Sequence, residues 1–159
     1  LLAQISLAPE LCRLMARADF YILNGNTAPS RFSCTVAGKA YSQGNTVYIM
    51  ASDREEAARL DDLLWTFQDI SFLPHACVDD APPDTPILIG WPGAEAPQTD
   101  VMINLTESVP DNSNDYNRIV EIIADETSRR ERGRERYKVY RERGYEMFNH
   151  NITAEQAHG

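Results

Sequence analysis

Metal ligands, paired cysteines and long apolar runs are all scarce in this chain. Its 159 residues include three cysteines, Cys12, Cys34 and Cys77, far apart and without a C-x-x-C pair, and three histidines that form no cluster with them. Neither a disulfide framework nor a zinc site is expected, and no metal or cofactor is assigned. No stretch approaches the roughly 18 to 20 uninterrupted apolar residues that a membrane-spanning helix needs. The apolar stretch 1–14 is broken by Glu10 and Arg13 and has no basic segment ahead of it, so it does not read as a secretory signal. A reduced, cytoplasmic protein is the expectation. Hydrophobic residues make up 43% and aromatics 9%, enough for one core in one domain.

Catalytic motifs are missing as well. There is no G-x-x-x-x-G-K-[ST] phosphate loop and no G-x-S-x-G nucleophile turn. The turn after the first apolar run, Asn24-Gly25-Asn26-Thr27-Ala28-Pro29-Ser30, holds one glycine. A dinucleotide site needs three, for the tight turn, the approach to pyrophosphate and the helix packing. The acid pairs Asp61/Asp62 and Asp79/Asp80 read as solvated surface. No enzyme is expected.

What is present is a run of short strands and three helices. Phe20-Tyr21-Ile22-Leu23 and Val47-Tyr48-Ile49-Met50 read as buried strands. Between them Ser30 is placed to cap a helix carrying Phe32, Val36 and Ala40, which Gly44 ends. Ser52 and Glu55 have capping-box spacing ahead of a helix with Ala57, Leu60, Leu64 and Phe67 on one stripe. Further short runs lie at 71–74, 87–91, 101–105 and 119–124, and six prolines between residues 74 and 97 make the middle loop-rich. A last helix is expected over 126–143, with Asp125 as candidate cap and Gly144 after it. The β-α-β-α-β opening with near-continuous apolar strands predicts an α/β fold. It is a single Rossmann-like domain, a mostly parallel sheet with helices on both faces.

Charge is distributed unevenly. The total is 15 basic against 24 acidic residues, a net of −9. Residues 127–143 alone carry eight basic and three acidic side chains, +5, leaving seven basic against 21 acidic, −14, on the rest. On a helical wheel Arg130, Arg134, Lys138 and Arg141 share an arc of about 80°. A strip of Gly133, Tyr137 and Tyr140 borders it, with Arg129, Arg136 and Arg143 beyond and Arg132 slightly further round. An excess of cations beside an aromatic suits a ligand with carboxylates or phosphates and one ring or apolar side chain. The second helix adds Trp65, about 140° from the centre of its apolar stripe. Such a tryptophan is either covered by a later loop or an interface anchor.

Taken in order, several segments carry a family resemblance. They are Phe20-Tyr21-Ile22-Leu23, Arg59-Leu60-Asp61-Asp62-Leu63-Leu64-Trp65, Ser71-Phe72-Leu73-Pro74-His75, Ile89-Gly90-Trp91-Pro92, and Arg134-Glu135-Arg136-Tyr137-Lys138-Val139-Tyr140-Arg141 before Gly144. From Met15 to about Asn149 the chain resembles the chi subunit family of the bacterial DNA polymerase III holoenzyme. Met15 coincides with the usual start of that family. Residues 1–14 are therefore expected to be upstream or non-native sequence, 15–150 the domain, and 151–159 a flexible tail.

The resemblance implies a non-catalytic adaptor of the clamp-loader assembly. Such proteins bind the acidic C-terminal tail of single-stranded DNA-binding protein, which ends in a phenylalanine with a free carboxylate, and form a heterodimer with the psi subunit. Carried onto this sequence, the tail site falls on Arg130, Arg134, Tyr137, Lys138 and Arg141. The psi face falls on Trp65, Phe72, Pro74 and His75. Nucleic acid would be met only indirectly, and no membrane is involved. Two alternatives stay open: direct binding of single-stranded nucleic acid by the basic helix, and a degenerate nucleotide-binding enzyme domain.

Overall fold

The structure, a computed structural model, describes residues 16–66 and 73–153. Seven strands are present: β1 Arg17–Leu23, β2 Val47–Met50, β3 His75–Cys77, β4 Ile87–Gly90, β5 Val101–Asn104, β6 Arg118–Ile123 and β7 Glu146–Ile152. Three α-helices accompany them, α1 Pro29–Ser42, α2 Arg54–Thr66 and α3 Thr127–Glu142. The strands form one sheet in the order β3-β4-β2-β5-β6-β1-β7, and every pairing is parallel. This is the expected α/β, Rossmann-like architecture.

Every residue of β2, β4 and β5 is buried, which explains why these strands read as continuous apolar runs rather than alternating ones. Alternation instead sorts their side chains between two cores. Val47, Ile49, Ile87, Ile89, Val101 and Ile103 pack beneath α1 and α2, against Phe32, Ala37, Ala57, Leu60 and Leu64. Tyr48, Met50, Leu88, Met102, Ile119 and Ile123 pack on the other face with Tyr116, Tyr140 and Tyr145. Each fully buried Ile or Leu contributes roughly 1.5–3 kcal/mol.

Two glycines end helices by one mechanism, as expected. Gly44 and Gly144 have φ of 85° and 89°, a region that costs other residues strain. Gly44 donates to the Tyr41 carbonyl at 3.0 Å and Asn45 to that of Ala40 at 3.0 Å. Gly144 and Tyr145 do the same to Arg141 and Tyr140, at 3.0 and 3.1 Å. Both are Schellman closures.

Helix starts differ from the sequence reading. Ala28, not Ser30, is the N-cap of α1, without a side-chain bond, and Pro29 at the first helical position supplies the preset φ. For α2 the cap is Asp53, whose Oδ1 accepts the Glu56 N–H at 2.8 Å while Glu56 accepts from the Ser52 N–H at 2.8 Å. That box sits one residue later than Ser52/Glu55. Asp125 does not cap α3 either, since its two oxygens accept from Gly25 N–H at 2.9 Å and Arg130 at 2.6 Å.

Near the expected strand at 71–74, regular structure begins only at His75, and residues 71 and 72 lie outside the described residues. The segment after Gly144, where the sequence reading places no strand, is regular. It forms a seventh strand, β7, parallel to β1 and running to Ile152. Its attachment is partly polar. Asp19 of β1 is fully buried and accepts from Arg17 at 2.6 and 2.9 Å and from Arg118 of β6 at 3.1 Å. His150 of β7 lies 2.9 Å from the same carboxylate. Burial alone raises the Asp19 carboxyl, but the bonds from Arg17 and His150 and the charge of Arg118 hold it below the ordinary range.

Candidate functional site

The rotation of α3 about its own axis decides which cations reach solvent. Glu121 of β6 is fully buried and accepts from Arg136 Nε at 2.9 Å, Tyr140 Oη at 2.7 Å and Asn104 Nδ2 at 2.7 Å. Arg136 is only 7% exposed and also donates to the Glu107 carbonyl at 3.0 Å. Burial drives the Glu121 carboxyl upward, and these donors pull it back. Gly133 completes the contact: a Cβ there would stand 2.8 Å from Ile123 Cδ1, so the glycine lets α3 approach β6 closely.

With that face turned inward, the opposite arc lines a groove of about 620 Å³ between α3 and strands β1 and β7. Arg130, Arg134, Tyr137, Lys138 and Arg141 all line it, with Phe20, Ile22 and Ile123 among its apolar residues and Asn149 and Asn151 on β7. All five side chains assigned to the tail site are thus brought to one place. Tyr137 is half-buried, edge-on to Phe20 with centroids 5.3 Å apart, and Arg141 lies over its ring at 6.0 Å.

The eight cations do not share one task. Arg136 is internal. Arg129 pairs with Glu107 at 2.9 Å, Arg132 pairs with the other Glu107 oxygen, and Arg143 donates to Ser113 Oγ at 2.7 Å. The bond from Arg132 holds the Glu107 carboxyl below its ordinary range. Arg130 pairs with Asp125 at 2.6 Å, while its Nε is buried with no partner among the described residues. Arg134, Lys138 and Arg141 are exposed and make no ion pair among the described residues. The groove therefore gathers three α3 cations that no carboxylate neutralises among the described residues.

The second candidate surface is smaller. Trp65, which the helical period turns away from the apolar stripe, is 57% exposed at the end of α2. His75 is buried behind it, edge-on with centroids 4.9 Å apart, its ring nitrogens near the carbonyls of Leu73 at 2.6 Å and Asp61 at 3.1 Å. His75 therefore supports Trp65 rather than presenting itself. Pro74 is half-buried and Phe72 lies outside the described residues.

In open α/β sheets ligands sit outside the carboxyl ends of the strands. Here that crevice holds about 190 Å³ beside Ser52, Thr106 and Glu107, with Arg129 and Arg132 already drawn onto Glu107. Cys34 and Cys77 are each pushed up to about 11 by burial, which keeps them as thiols at neutral pH. Among the described residues no three His, Cys, Asp or Glu side chains converge to hold a metal ion, and no helix is long and apolar enough to cross a membrane.

The family model described as DNA polymerase III chi subunit, HolC, matches residues 15–148. The chain belongs to the chi family. Similar proteins named DNA polymerase III subunit chi include that of Pseudomonas aeruginosa, 30% identical over 140 residues, 87% of this chain and 98% of that protein. That of Escherichia coli K12 is 31% identical over 141 residues, covering 84% and 96%. Among solved structures, T4 UvsW superposes with a TM-score of 0.62 at 8% identity, over 89% of this chain and 42% of that one. S. cerevisiae Dbp5 gives 0.52 at 8% identity, over 89% and 43%. These two likenesses are of fold alone.

Within this chi-family chain the segments that carry the resemblance take distinct structural parts. Gly90 of Ile89-Gly90-Trp91-Pro92 lies against the Tyr48 hydroxyl, and Arg59 to Trp65 is the body of α2. Residues 134–141 alternate between the groove and the buried Glu121 bond. Sequence reasoning placed Arg136 among the outer cations and missed Glu121, Asn149 and Asn151. For Glu121 a signal existed: one glutamate inside an otherwise apolar buried strand requires a partner.

Proposed function

We propose that this chi-family protein is a non-catalytic adaptor of the DNA polymerase III clamp-loader assembly, working in the cytoplasm. Its α3 groove binds the acidic C-terminal tail of single-stranded DNA-binding protein, and its Trp65 face binds the psi subunit. The observation that carries the first half is that Arg134, Lys138 and Arg141, without ion pairs among the described residues, line one groove with Phe20 and Tyr137. Guanidinium groups pair with carboxylates, the apolar residues receive a terminal ring, and partly exposed charges make the contact salt-sensitive. Micromolar affinity, about 8 kcal/mol, suits a tether that must release.

An acidic peptide ending in a free-carboxylate phenylalanine is expected to bind in isothermal titration at physiological salt. Arg134→Ala should weaken it at least tenfold, about 1.4 kcal/mol, with the melting temperature unchanged because Arg134 is exposed. Wild-type affinity in the variant would sink this reading. Direct nucleic-acid binding predicts the reverse pattern: tight oligonucleotide binding and no response to amidating the peptide terminus. The structure disfavours it, since a stacking groove interleaves several aromatic faces and Tyr137 offers one half-buried ring. For the other surface, Trp65→Ala is expected to abolish co-purification of psi while leaving peptide binding intact. Retention of psi by the variant refutes that assignment.

A further inference from the structure

The groove wall opposite α3 is strand β7, and two of its residues have no structural task. Asn149 and Asn151 sit beside Phe20 and Ile22 in the parallel register, facing the groove, and both are exposed. Asparagine is disfavoured in strands because it packs poorly on a pleated surface. Neighbouring polar residues have evident structural roles. His150 turns to the other face and pairs with Asp19, and Asn24 Nδ2 donates to the Ile152 carbonyl at 3.1 Å. The side chains of Asn149 and Asn151 bond to nothing among the described residues.

We propose that Asn149 and Asn151 clamp the main chain of an extended acidic peptide, while the α3 cations take its carboxylates. The inference rests on the groove being the tail site. A carboxamide carries both a donor and an acceptor, matching a peptide N–H and C=O. The two asparagines are two residues apart on a strand, about 6.8 Å, which is the repeat of any extended chain laid alongside. On the other wall Arg134 and Lys138 are about 6 Å apart along α3 and Arg141 about 4.5 Å further. Because α3 joins the parallel strands β6 and β7, it runs back against β7, so amide and cation rows face each other along the groove. One wall then reads charge and the other reads only that the ligand is extended.

The test is a peptide titration on the full chain across a salt series. Asn149→Ala/Asn151→Ala is expected to weaken the acidic peptide five- to tenfold with the salt dependence unchanged, whereas Arg134→Ala should reduce affinity and salt dependence together. On the wild-type protein, methylating main-chain nitrogens of the peptide should give a comparable loss, which the double variant no longer shows. Affinity within twofold of wild type in the double variant, with Arg134→Ala still weak, overturns the clamp and leaves the tail site standing. Equal binding of methylated and unmethylated peptide to the wild type also overturns it. Unchanged binding in Arg134→Ala overturns the tail site itself.

Discussion

Arg136→Met is expected to destabilise the protein by about 3–5 kcal/mol, because removing one partner of a buried ion pair strands the other charge in the interior. Glu121 would keep Tyr140 and Asn104 as donors but lose the one cation paired with it among the described residues. Replacing both charges should undo most of the damage. In Glu121→Gln/Arg136→Met the amide oxygen still accepts from Tyr140 and Asn104, and no charge is left unpaired in the interior. Urea midpoints at constant slope measure both variants. A single-variant loss below about 0.5 kcal/mol, the scale of an ordinary surface change, would show that the pair does not hold α3.

The pH dependence of that variant has a definite sign. Burial already pushes the Glu121 carboxyl above its ordinary value, and without Arg136 the push is less opposed. A group whose folded-state pKa lies above its unfolded value binds protons preferentially in the folded state. Its contribution is present below the unfolded value and lost as pH rises through the folded one. Arg136→Met should therefore be less destabilised in mild acid than at neutral pH, and Glu121→Gln/Arg136→Met should lack this difference.

Much of this architecture was legible in the chain, for identifiable reasons. β2, β4 and β5 announced themselves because burial on both faces leaves them almost wholly apolar, Asn104 at the end of β5 being the exception that bonds to Glu121. The cationic arc of α3 and the turn of Trp65 away from the apolar stripe of α2 followed from helical period alone. What stayed hidden depended on contacts distant in sequence. Arg136 looks like its seven basic neighbours until β6 brings Glu121 against it. β7 stayed hidden because its Asn149, His150 and Asn151 serve a groove and a buried carboxylate rather than strand packing. The Ser52/Glu55 and Asp53/Glu56 spacings are identical, so only backbone geometry selects the second as the α2 cap.

The strand order also gives the opening charge asymmetry a direction. Residues 60–117, which supply β3, β4 and β5, contain eleven acidic residues and no Lys or Arg. The cations of β1, β6 and α3 lie toward the other end of the order β3-β4-β2-β5-β6-β1-β7. A polyanion approaching this molecule is repelled from one end and drawn to the other, which favours a short acidic segment over one long enough to cross the whole sheet.

The tightest steric constraint among the described glycines lies between β4 and β2. A Cβ on Gly90 would overlap Tyr48 Oη and stand 2.6 Å from its Cζ, far inside contact distance. Tyr48 is fully buried on the neighbouring strand β2, so the ring has nowhere to move. Gly90→Ala is expected to cost about 3 kcal/mol or more, the upper range of overpacking. The strain belongs to the pair, so introducing Gly90→Ala into a Tyr48→Leu background should cost less than about 1 kcal/mol, an order-of-magnitude figure from the removed clash. Tyr48→Phe separates sterics from polarity. The Tyr48 hydroxyl has no hydrogen-bond partner among the described residues, and burial pushes it up to about 12. Removing it should leave stability unchanged or raise it by up to about 1 kcal/mol, because an unsatisfied buried hydroxyl costs desolvation without return. Equal costs of Gly90→Ala in the wild-type and Tyr48→Leu backgrounds, read from thermal or urea unfolding, would remove the ring as the reason a glycine stands there.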